Sequence, residues 1–596
     1  MKSVHTKDIL TYAGGGILFC IIFYIEYQAI PSSWYQQRDD ALITLSHARN
    51  WVEYGVIGVS PSGGKVEGFS APFSFLIYTF LFAICKMHYH IFFALQTWIC
   101  TFLLGVLCSL FSKKSLLITA IGAILLTRCA EFFLWHGSGM ENPINHVCIG
   151  LAIWSLIEIY KKNYHWKYAI PIAISMLVRV DSLYYILPLL ITVVLVKRNH
   201  TSLSSTLRFS ALCLLPVFVL HLSRWWYFGS LIPNTAFAQQ IDIIARLGRL
   251  WSGDQEIWHY SIFLGIELLL TQGIIFFLIF IPWIPCLWKH KDFRFILVLL
   301  CVFTILVGLT PFLFGTARLS PGRITTTASV VFILCIVYGC SLLGNIRHRI
   351  LALLSLLVIA FIPNIPFEIS KRILPKTTIQ HNTGFQFSEP KRICCDTTTL
   401  AQRHKEFLSL RNQHDLYRPM IAIPDLGLIS WHKDANILDL GRLGHPLLAQ
   451  SDNKEFITHY ILDIVAPDII QSHSHWSCEY KDIIFSVPRF IERYKALYTD
   501  ENPCPKGFSG VWIRKDIMKN SQSKERNFLD MLINDLSVQS INMEIENCYA
   551  DSNQDCTYIA RTILRFWPEI NSRGLANTII RQNIIQDLHN PLLLKQ

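Results

Sequence analysis

Long apolar runs recur along this chain, and they limit its possible folds more than any other feature of the sequence. Ile9 to Ile30, Ile262 to Leu287 and Thr325 to Leu343 are each close to the ~20 residues with which a helix crosses a hydrocarbon core. Because only 16% of the 596 residues are charged and 52% are hydrophobic, the chain has too few polar side chains to cover several soluble domains. The sequence therefore predicts an α-helical polytopic membrane protein.

Basic residues cluster between the apolar runs and predict the topology. Cytoplasmic loops carry an excess of lysine and arginine, so five clusters are placed on that side: Lys113 and Lys114; Lys161, Lys162 and Lys167; Lys197 and Arg198; Lys289, Lys291 and Arg294; Arg347 and Arg349. About eleven spans fit between them, near residues 9-30, 91-111, 115-134, 143-160, 166-179, 182-197, 207-226, 262-287, 294-314, 325-344 and 350-362. The first run is expected to be a retained signal anchor with a cytoplasmic amino terminus, which leaves the tail outside.

Composition divides the chain into three parts. Residues 1-362 form the transmembrane module, and its first external loop covers residues 31-89. The apolar stretch Phe69 to Ile84 within that loop is expected to be an interfacial helix, because a further span there would invert every later loop. Residues 363-515 read as a soluble α/β domain, with short apolar runs at Met420 to Pro424 and Ala435 to Leu440 and a helical pattern from Phe456 to Val465. Residues 516-596 form a polar, mainly helical C-terminal extension.

Charge and cysteine usage bear on the partners and the compartment. The formal net charge is +11, but the basic residues lie in short loop clusters and not along one stripe, so nucleic acid is not an expected partner. Of the 17 cysteines, eleven lie in or beside apolar runs, and no CxxC metal pattern occurs. The other six are able to pair if the tail faces an oxidising compartment: Cys394, Cys395, Cys478, Cys504, Cys548 and Cys556.

An acidic pair follows the first apolar run. Asp39 and Asp40, after Arg38, are adjacent carboxylates just outside the first predicted span. Such neighbours repel unless water, cations or a substrate stabilise them, and a carboxylate in a water-poor cleft is able to take a proton from a sugar hydroxyl. The alternative is an ordinary helix N-cap.

Two further motifs place ionisable residues at outer helix ends. Arg179 and Asp181 occur in LVRVD, where a guanidinium could hold a phosphate bidentately or form a structural ion pair. His136 and Glu141 occur in WHGSGMENP, a short external loop in which glycine lets the backbone approach a ligand closely. A turn with no further role is the alternative reading of this loop.

Several arginines are predicted on the outer side, where positive charge is not expected. Arg224 and Asn234 lie in and after SRWWYFGSLIPNT, and Arg318 and Arg323 lie in GTARLSPGR. The neighbouring aromatic residues alone would fit an interfacial belt. The arginines need an anionic partner, either lipid headgroups or the phosphate of a lipid-linked substrate.

Taken in order, these motifs resemble the GT-C polytopic glycosyltransferases, in the group that contains the mycobacterial terminal arabinofuranosyltransferase and the Legionella LphB protein. DDALITLSHARNWVEYG and GGKVEGFSAPF resemble the first-loop signature of that group. SGMEN, LVRVD and YFGSLIPNT resemble its later external loops, while PDLGLISWHKDANILDLGRLGHPLLA and THYILDIVAPDII resemble its soluble domain.

The resemblance implies transfer of a pentofuranose or hexose from a polyprenyl-phosphate donor to a cell-envelope glycan or glycolipid acceptor. The enzyme would lie in a bacterial inner membrane, with its α/β domain in the periplasm. Asp39 and Asp40 would act on the acceptor hydroxyl, with Asp39 preferred, while Arg179, Arg224 and Arg323 would contact the donor. The resemblance does not evidently imply a metal, and a divalent cation is the alternative. The rival readings are a transporter or flippase that uses Arg128, Glu131, Arg179 and Asp181 as an ion path, and a membrane scaffold.

Overall fold

The computed structural model describes residues 6–29, 39–60, 64–162, 164–179, 181–198, 201–238, 243–271, 273–314, 323, 325–361, 397–413, 416, 419–432, 435–473, 475–499 and 510–517. Arg38, Arg318 and the helices predicted near Asn527 to Leu536 and Ala560 to Phe566 lie outside these residues. Nearly all of the polar extension predicted from residue 516 therefore stays a prediction.

The membrane module is a succession of helices. The first nine are α1 (Thr6–Ala29), α2 (Asp39–Tyr54), α3 (Pro72–Cys85), α4 (Tyr89–Phe111), α5 (Leu116–Thr127), α6 (Ala130–His136), α7 (Asn142–Lys161), α8 (Trp166–Val178) and α9 (Ser182–Lys197). The next nine are α10 (Leu203–Phe228), α11 (Asn234–Ala238), α12 (Ile243–Trp251), α13 (Gln255–Thr271), α14 (Ile274–Phe280), α15 (Ile284–Leu287), α16 (Lys291–Phe314), α17 (Thr327–Leu342) and α18 (Ile346–Ala360).

Several of these helices are suited to a bilayer. In the part of the chain that the structure describes, α1, α4, α7, α10 and α16 are long and apolar enough to cross a membrane, and the bent pair Gln255–Leu270 and Ile274–Leu287 would make a sixth span. Five shorter apolar helices have 10–17 residues. The chain is therefore an α-helical protein suited to a membrane, whereas the predicted count of eleven crossings is not confirmed.

Two predicted spans are not single helices, and one of them, near 262-287, contains the end of α13 together with α14 and α15. The apolar run near 115-134 forms two helices, because α5 ends at Thr127 and α6 begins only at Ala130. Between them, Arg128 donates a hydrogen bond to Glu26 Oε1 at 2.7 Å. A charged side chain inside an apolar helix is costly without a partner, and this ion pair with α1 provides one.

The segment predicted to be the first external loop contains two helices, α2 and α3, which pack against each other. Phe75, Tyr78 and Phe82 of α3 are buried, while Leu76 and Phe80 are exposed. This division gives α3 a protein-facing side and an apolar outer side. Its predicted place at the membrane surface stays a prediction.

The described part of the tail contains a small five-stranded sheet, whereas the predicted bounds of an α/β domain stay a prediction. Its strands are β1 (Met420–Ile423), β2 (Asn436–Asp439), β3 (Ile469–Ser472), β4 (Tyr494–Thr499) and β5 (Gly510–Arg514), in the order β2-β1-β3-β5-β4. β1 pairs in parallel with β2 and β3, and β5 pairs antiparallel with β3 and β4. All four residues of β1 and of β2 are buried, as expected for parallel strands covered on both faces.

Helices of the tail precede and connect the strands. They are α19 (Thr397–Gln413), α20 (Gly427–His432), α21 (Pro446–Gln450), α22 (Lys454–His459), α23 (His475–Glu479) and α24 (Pro488–Arg493). A π-helical turn, Tyr460–Val465, continues α22. The predicted helical stretch from Phe456 to Val465 is thus confirmed.

Helix α20 joins the tail to the membrane module by packing against α2. The Ser430 hydroxyl lies 2.9 Å from the Ser46 hydroxyl, and Arg49 donates to the Ser430 carbonyl at 2.8 Å and to the Trp431 carbonyl. The Arg49 guanidinium also lies 4.6 Å from the Trp431 ring centroid. The residues that follow β1 therefore contact the first external loop directly.

Candidate functional site

Five of the predicted site residues form one cluster of charges, although they come from four separate segments. Three are carboxylates at helix N-termini: Asp40 in the first turn of α2, Glu141 at the N-cap of α7 and Asp181 at the N-cap of α9. Arg179 is the C-cap of α8, and Arg323 precedes α17. A helix N-terminus favours negative charge and a C-terminus favours positive charge, so the helix ends support four of the five groups.

Glu141 connects the two arginines. Its carboxylate accepts from Arg323 Nη2 at 3.0 and 3.3 Å and pairs with Arg179 Nη1. The turn before it requires glycine, because Gly139 has φ +79° and a Cβ there would lie 3.0 Å from the Phe93 ring. Only 4% of the Glu141 side chain is exposed, so this carboxylate holds both guanidiniums in place away from bulk water.

Asp181 holds Arg179 from the other side. Arg179 Nε donates to Asp181 Oδ1 at 2.8 Å, while the next residue, Ser182, donates to Asn145 Oδ1 on α7 at 3.2 Å. The second oxygen of Asp181, Oδ2, is buried and has no hydrogen-bond partner among the described residues. The hairpin between α8 and α9 is thus attached to α7, and it leaves one acceptor oxygen unused.

Arg323 links the cluster to the first external loop. Its Nη1 lies 3.4 Å from Asp40 Oδ2, its guanidinium carbon lies 5.9 Å from the Trp135 ring centroid, and its carbonyl accepts from Asn142 Nδ2 at 2.9 Å. Burial lowers the pKa of the Arg323 guanidinium. Its Nε is buried without a partner in the described part of the chain, so this arginine has donor capacity left for an anion.

Asp40 is the accessible member of the cluster. Its side chain is 41% exposed, whereas no other side chain in the cluster exceeds 15%. Its contact with Arg323 is the longest ion pair in the cluster. A molecule that approaches from solvent therefore meets the Asp40 carboxylate first.

Asp39 occupies a different environment from its neighbour. It is 3% exposed, and its Oδ2 and Oδ1 accept hydrogen bonds from the backbone N–H groups of Gly427 and Leu428, each at 2.7 Å. Burial and the nearby Asp425 carboxylate raise the pKa of Asp39 to about 8, although the two N–H donors act in the opposite direction. Both oxygens of Asp39 are engaged in capping a tail helix, whereas the Asp40 carboxylate is the accessible one of the pair.

His136 contacts Thr101 and His146 and no residue of the charge cluster among the contacts described. It is fully buried, with Nε2 3.0 Å from Thr101 Oγ1 and Nδ1 3.0 Å from His146 Nδ1. The Thr101 hydroxyl donates to the Thr97 carbonyl, so it accepts from His136 Nε2–H. With both rings neutral, His136 Nδ1 then accepts from His146 Nδ1–H. This chain gives His136 a structural role in the packing of α4, α6 and α7.

Arg224 and Asn234 also have partners within the protein. Arg224 on α10 forms a bidentate ion pair with Glu67, with three N···O distances of 2.8 to 3.0 Å, and both residues are buried. Asn234 Nδ2 donates to the carbonyls of Arg442 and Leu443 at 2.9 and 2.7 Å. Both residues therefore attach elements to one another, and Arg318 lies outside the described residues.

The motifs contained signals for residues that sequence reasoning did not select. Glu67 stands in the quoted GGKVEGFSAPF, while Asn142 follows Glu141 directly and Asn145 lies four residues after it. Gly427 belongs to PDLG, immediately after β1, and the carboxyl ends of parallel strands are common functional positions.

Metal and cysteine chemistry can be assessed only in the described residues. There, no group of three or more His, Cys, Asp and Glu side chains is arranged to hold a metal ion. The eleven cysteines of the membrane module form no disulfide bonds, whereas Cys478 in the tail is disulfide-bonded.

Comparison with known proteins gives no family assignment. No protein-family model matches this chain, and no curated protein matches its sequence.

Proposed function

We propose that this protein is a membrane glycosyltransferase of the GT-C type, which transfers a pentofuranose or hexose from a polyprenyl-phosphate donor to a glycan or glycolipid acceptor. The observation that carries the proposal is the convergence of Asp40, Glu141, Arg179, Asp181 and Arg323 at neighbouring helix ends. Such an arrangement combines guanidiniums suited to a phosphate with one accessible carboxylate suited to a hydroxyl. The resemblance of the first-loop sequence to this enzyme group supports the same chemistry.

The charges of the cluster suggest how a donor would bind. Three carboxylates face two guanidiniums, so a phosphate must replace a carboxylate or be repelled. The replaceable contact is the one between Asp40 and Arg323, because it is long at 3.4 Å and its carboxylate is exposed. A phosphate oxygen on Arg323 would use the unpartnered Nε and release Asp40 from its ion pair.

The released Asp40 would then act as the general base. It takes the proton of the acceptor hydroxyl while the hydroxyl oxygen forms a bond to the anomeric carbon of the sugar. The bond between that carbon and the phosphate oxygen breaks, and polyprenyl phosphate leaves with the electron pair. Arg179 and Arg323 would stabilise the negative charge that develops on the phosphate.

The proposed topology places these groups on the outer face of a bacterial inner membrane. Eleven crossings with a cytoplasmic amino terminus would leave the first loop and the tail in the periplasm. The disulfide at Cys478 supports this orientation, because disulfides persist mainly in oxidising compartments. The donor's polyprenyl chain would remain in the lipid while its phosphate reaches the helix ends.

The transporter alternative gains no specific support from the described residues. It required Arg128 to share an ion path with Arg179 and Asp181. Arg128 pairs with Glu26 on α1, whereas Arg179 pairs with Glu141 and Asp181. The two arginines thus take part in separate ion pairs.

The test is a transfer assay with purified protein and a panel of radiolabelled polyprenyl-phosphate sugars. We expect one donor to lose its label in the wild-type protein and not in Asp40→Asn. Asp482→Asn is the matched control, because that side chain is 69% exposed in the tail and should keep full activity. Absence of turnover with every donor, or full turnover in Asp40→Asn, would overturn the proposal.

A further inference from the structure

We infer that Gly427 of the tail is a positioning residue for Asp40, which it fixes by binding the preceding residue, Asp39. The inference rests on the proposed function, because it gives Asp40 a geometry that matters for transfer. It gives the tail a part in that function, because Gly427 would position the Asp40 carboxylate without contacting the substrate.

The contact between Gly427 and Asp39 is close and involves the backbones of both residues. The Gly427 N–H donates to Asp39 Oδ2 and the Leu428 N–H to Asp39 Oδ1, each at 2.7 Å. These two bonds fix the carboxylate in two directions. The tail therefore holds the side chain of Asp39, the first residue of α2.

Gly427 cannot be replaced without movement. A Cβ at this position would lie 2.0 Å from the Asp39 carbonyl oxygen and 2.6 Å from its Oδ1. Real Cβ atoms essentially never lie closer than 3.0 Å to such a neighbour, so the distance to the carbonyl oxygen must widen from 2.0 Å to at least 3.0 Å. The Asp39 carbonyl belongs to the peptide unit that joins Asp39 to Asp40, so this displacement reaches Asp40 directly.

The rest of the interface prevents the tail from simply moving away. The far end of α20 is held to α2 by the Ser46 and Ser430 hydroxyls at 2.9 Å and by Arg49, which donates to the Ser430 carbonyl at 2.8 Å. An added side chain at Gly427 would therefore displace the start of α2 more readily than the whole tail. Asp40 and its 3.4 Å contact with Arg323 lie at that start.

The arginine cluster should be affected far less than the base. Arg179, Glu141 and Arg323 hold one another through ion pairs that do not involve α2. A displaced Asp40 would therefore lower kcat without raising the donor KM. Misplacement of a catalytic group by ~1 Å can cost ~10²-fold in rate.

The experiment compares Gly427→Ala with Gly344→Ala in the full chain. Gly344 is the matched control, because a Cβ there meets nothing within 4 Å. We expect Gly427→Ala to lose about 10²-fold in kcat with a donor KM within about twofold of the wild type, and Gly344→Ala to match the wild type. An unchanged kcat in folded Gly427→Ala, or a rise in KM alone, would overturn the inference.

A second measurement separates this inference from the proposed function. Cysteines introduced as Asp40→Cys and Arg323→Cys should crosslink with a short reagent, and Gly427→Ala should lower the yield severalfold. If the wild-type protein transfers no sugar, the proposed function fails. The crosslinking yield tests the positioning role separately, because a yield that Gly427→Ala leaves unchanged would refute it. If Gly427→Ala does not fold, Asp39→Asn replaces it, since it weakens the same contact without added bulk.

Discussion

Glu141 offers the sharpest test of the charge cluster, because a single buried carboxylate serves two buried arginines. The exposed fractions of the side chains are 4% for Glu141, 3% for Arg179 and 6% for Arg323. Glu141→Gln keeps the size of the side chain and removes its charge. The two guanidiniums then repel each other, and Arg323 keeps only the long contact with Asp40.

The expected loss of stability follows from this burial. Breaking a buried ion pair by removal of one partner costs about 3 to 5 kcal/mol, because the remaining charge is left uncompensated. Asp482→Asn serves as the control, since its pair with Lys454 is exposed by 69% and 67% and an exposed pair contributes about 0 to 1 kcal/mol. The difference between the two variants should therefore be at least about 2 kcal/mol.

The assay is chemical unfolding of the purified protein in detergent, followed by tryptophan fluorescence, with and without inorganic phosphate. A phosphate that takes the place of the Glu141 carboxylate should restore stability, by about 2.7 kcal/mol at a concentration 100 times its Kd. A loss below about 1 kcal/mol in Glu141→Gln would refute the bridging role. Absence of stabilisation of Glu141→Gln by phosphate would refute the anion site.

Three other predictions concern the surroundings of the cluster. The pKa of the Asp39 carboxyl is raised from 3.8 to about 8, so the folded state binds this proton more tightly than the unfolded state. The free energy of unfolding should therefore fall as pH rises from 3.8 through about 8. Asp39→Asn should lack this pH dependence, and an unchanged pH dependence in that variant would contradict the prediction. Arg224→Lys should lower the free energy of unfolding by about 2 kcal/mol or more, since lysine cannot replace the bidentate contact with Glu67. The donor KM should stay within about twofold of the wild type, whereas a tenfold rise in KM would show that Arg224 binds the donor. Cys478 should react with a thiol-specific maleimide only after reduction, as read by the mass of the peptide that contains Cys478. Labelling of that peptide in the unreduced folded protein would contradict the disulfide.

Local patterns in the sequence were enough to predict most helices and the first two strands. The runs that predicted Tyr89–Phe111 and Lys291–Phe314 give helices close to the expected bounds. The short runs at Met420 and Asn436 give parallel strands. These features depend on hydropathy over neighbouring residues, which a single sequence contains in full.

The pairing of charges was less predictable, because it depends on contacts between distant segments. Each motif of the cluster was identified separately, but nothing local distinguished Glu141 as the bridge between Arg179 and Arg323. The roles of the adjacent carboxylates could not be separated either, since both are possible caps of the helix that follows. Their difference arises from Gly427, which lies 388 residues after Asp39.

That separation also has a consequence for biosynthesis. Ribosomes add about 5 to 20 residues per second, so Gly427 is made roughly 20 to 80 s after Asp39. Throughout this interval the first external loop carries Asp39 and Arg49 without their tail partners. A nascent chain interrupted before Gly427 would possess every helix from α1 to α18 and still lack the contact at the start of α2. Maturation of the proposed site would therefore be a late event, completed only when the tail has been made and packs against α2.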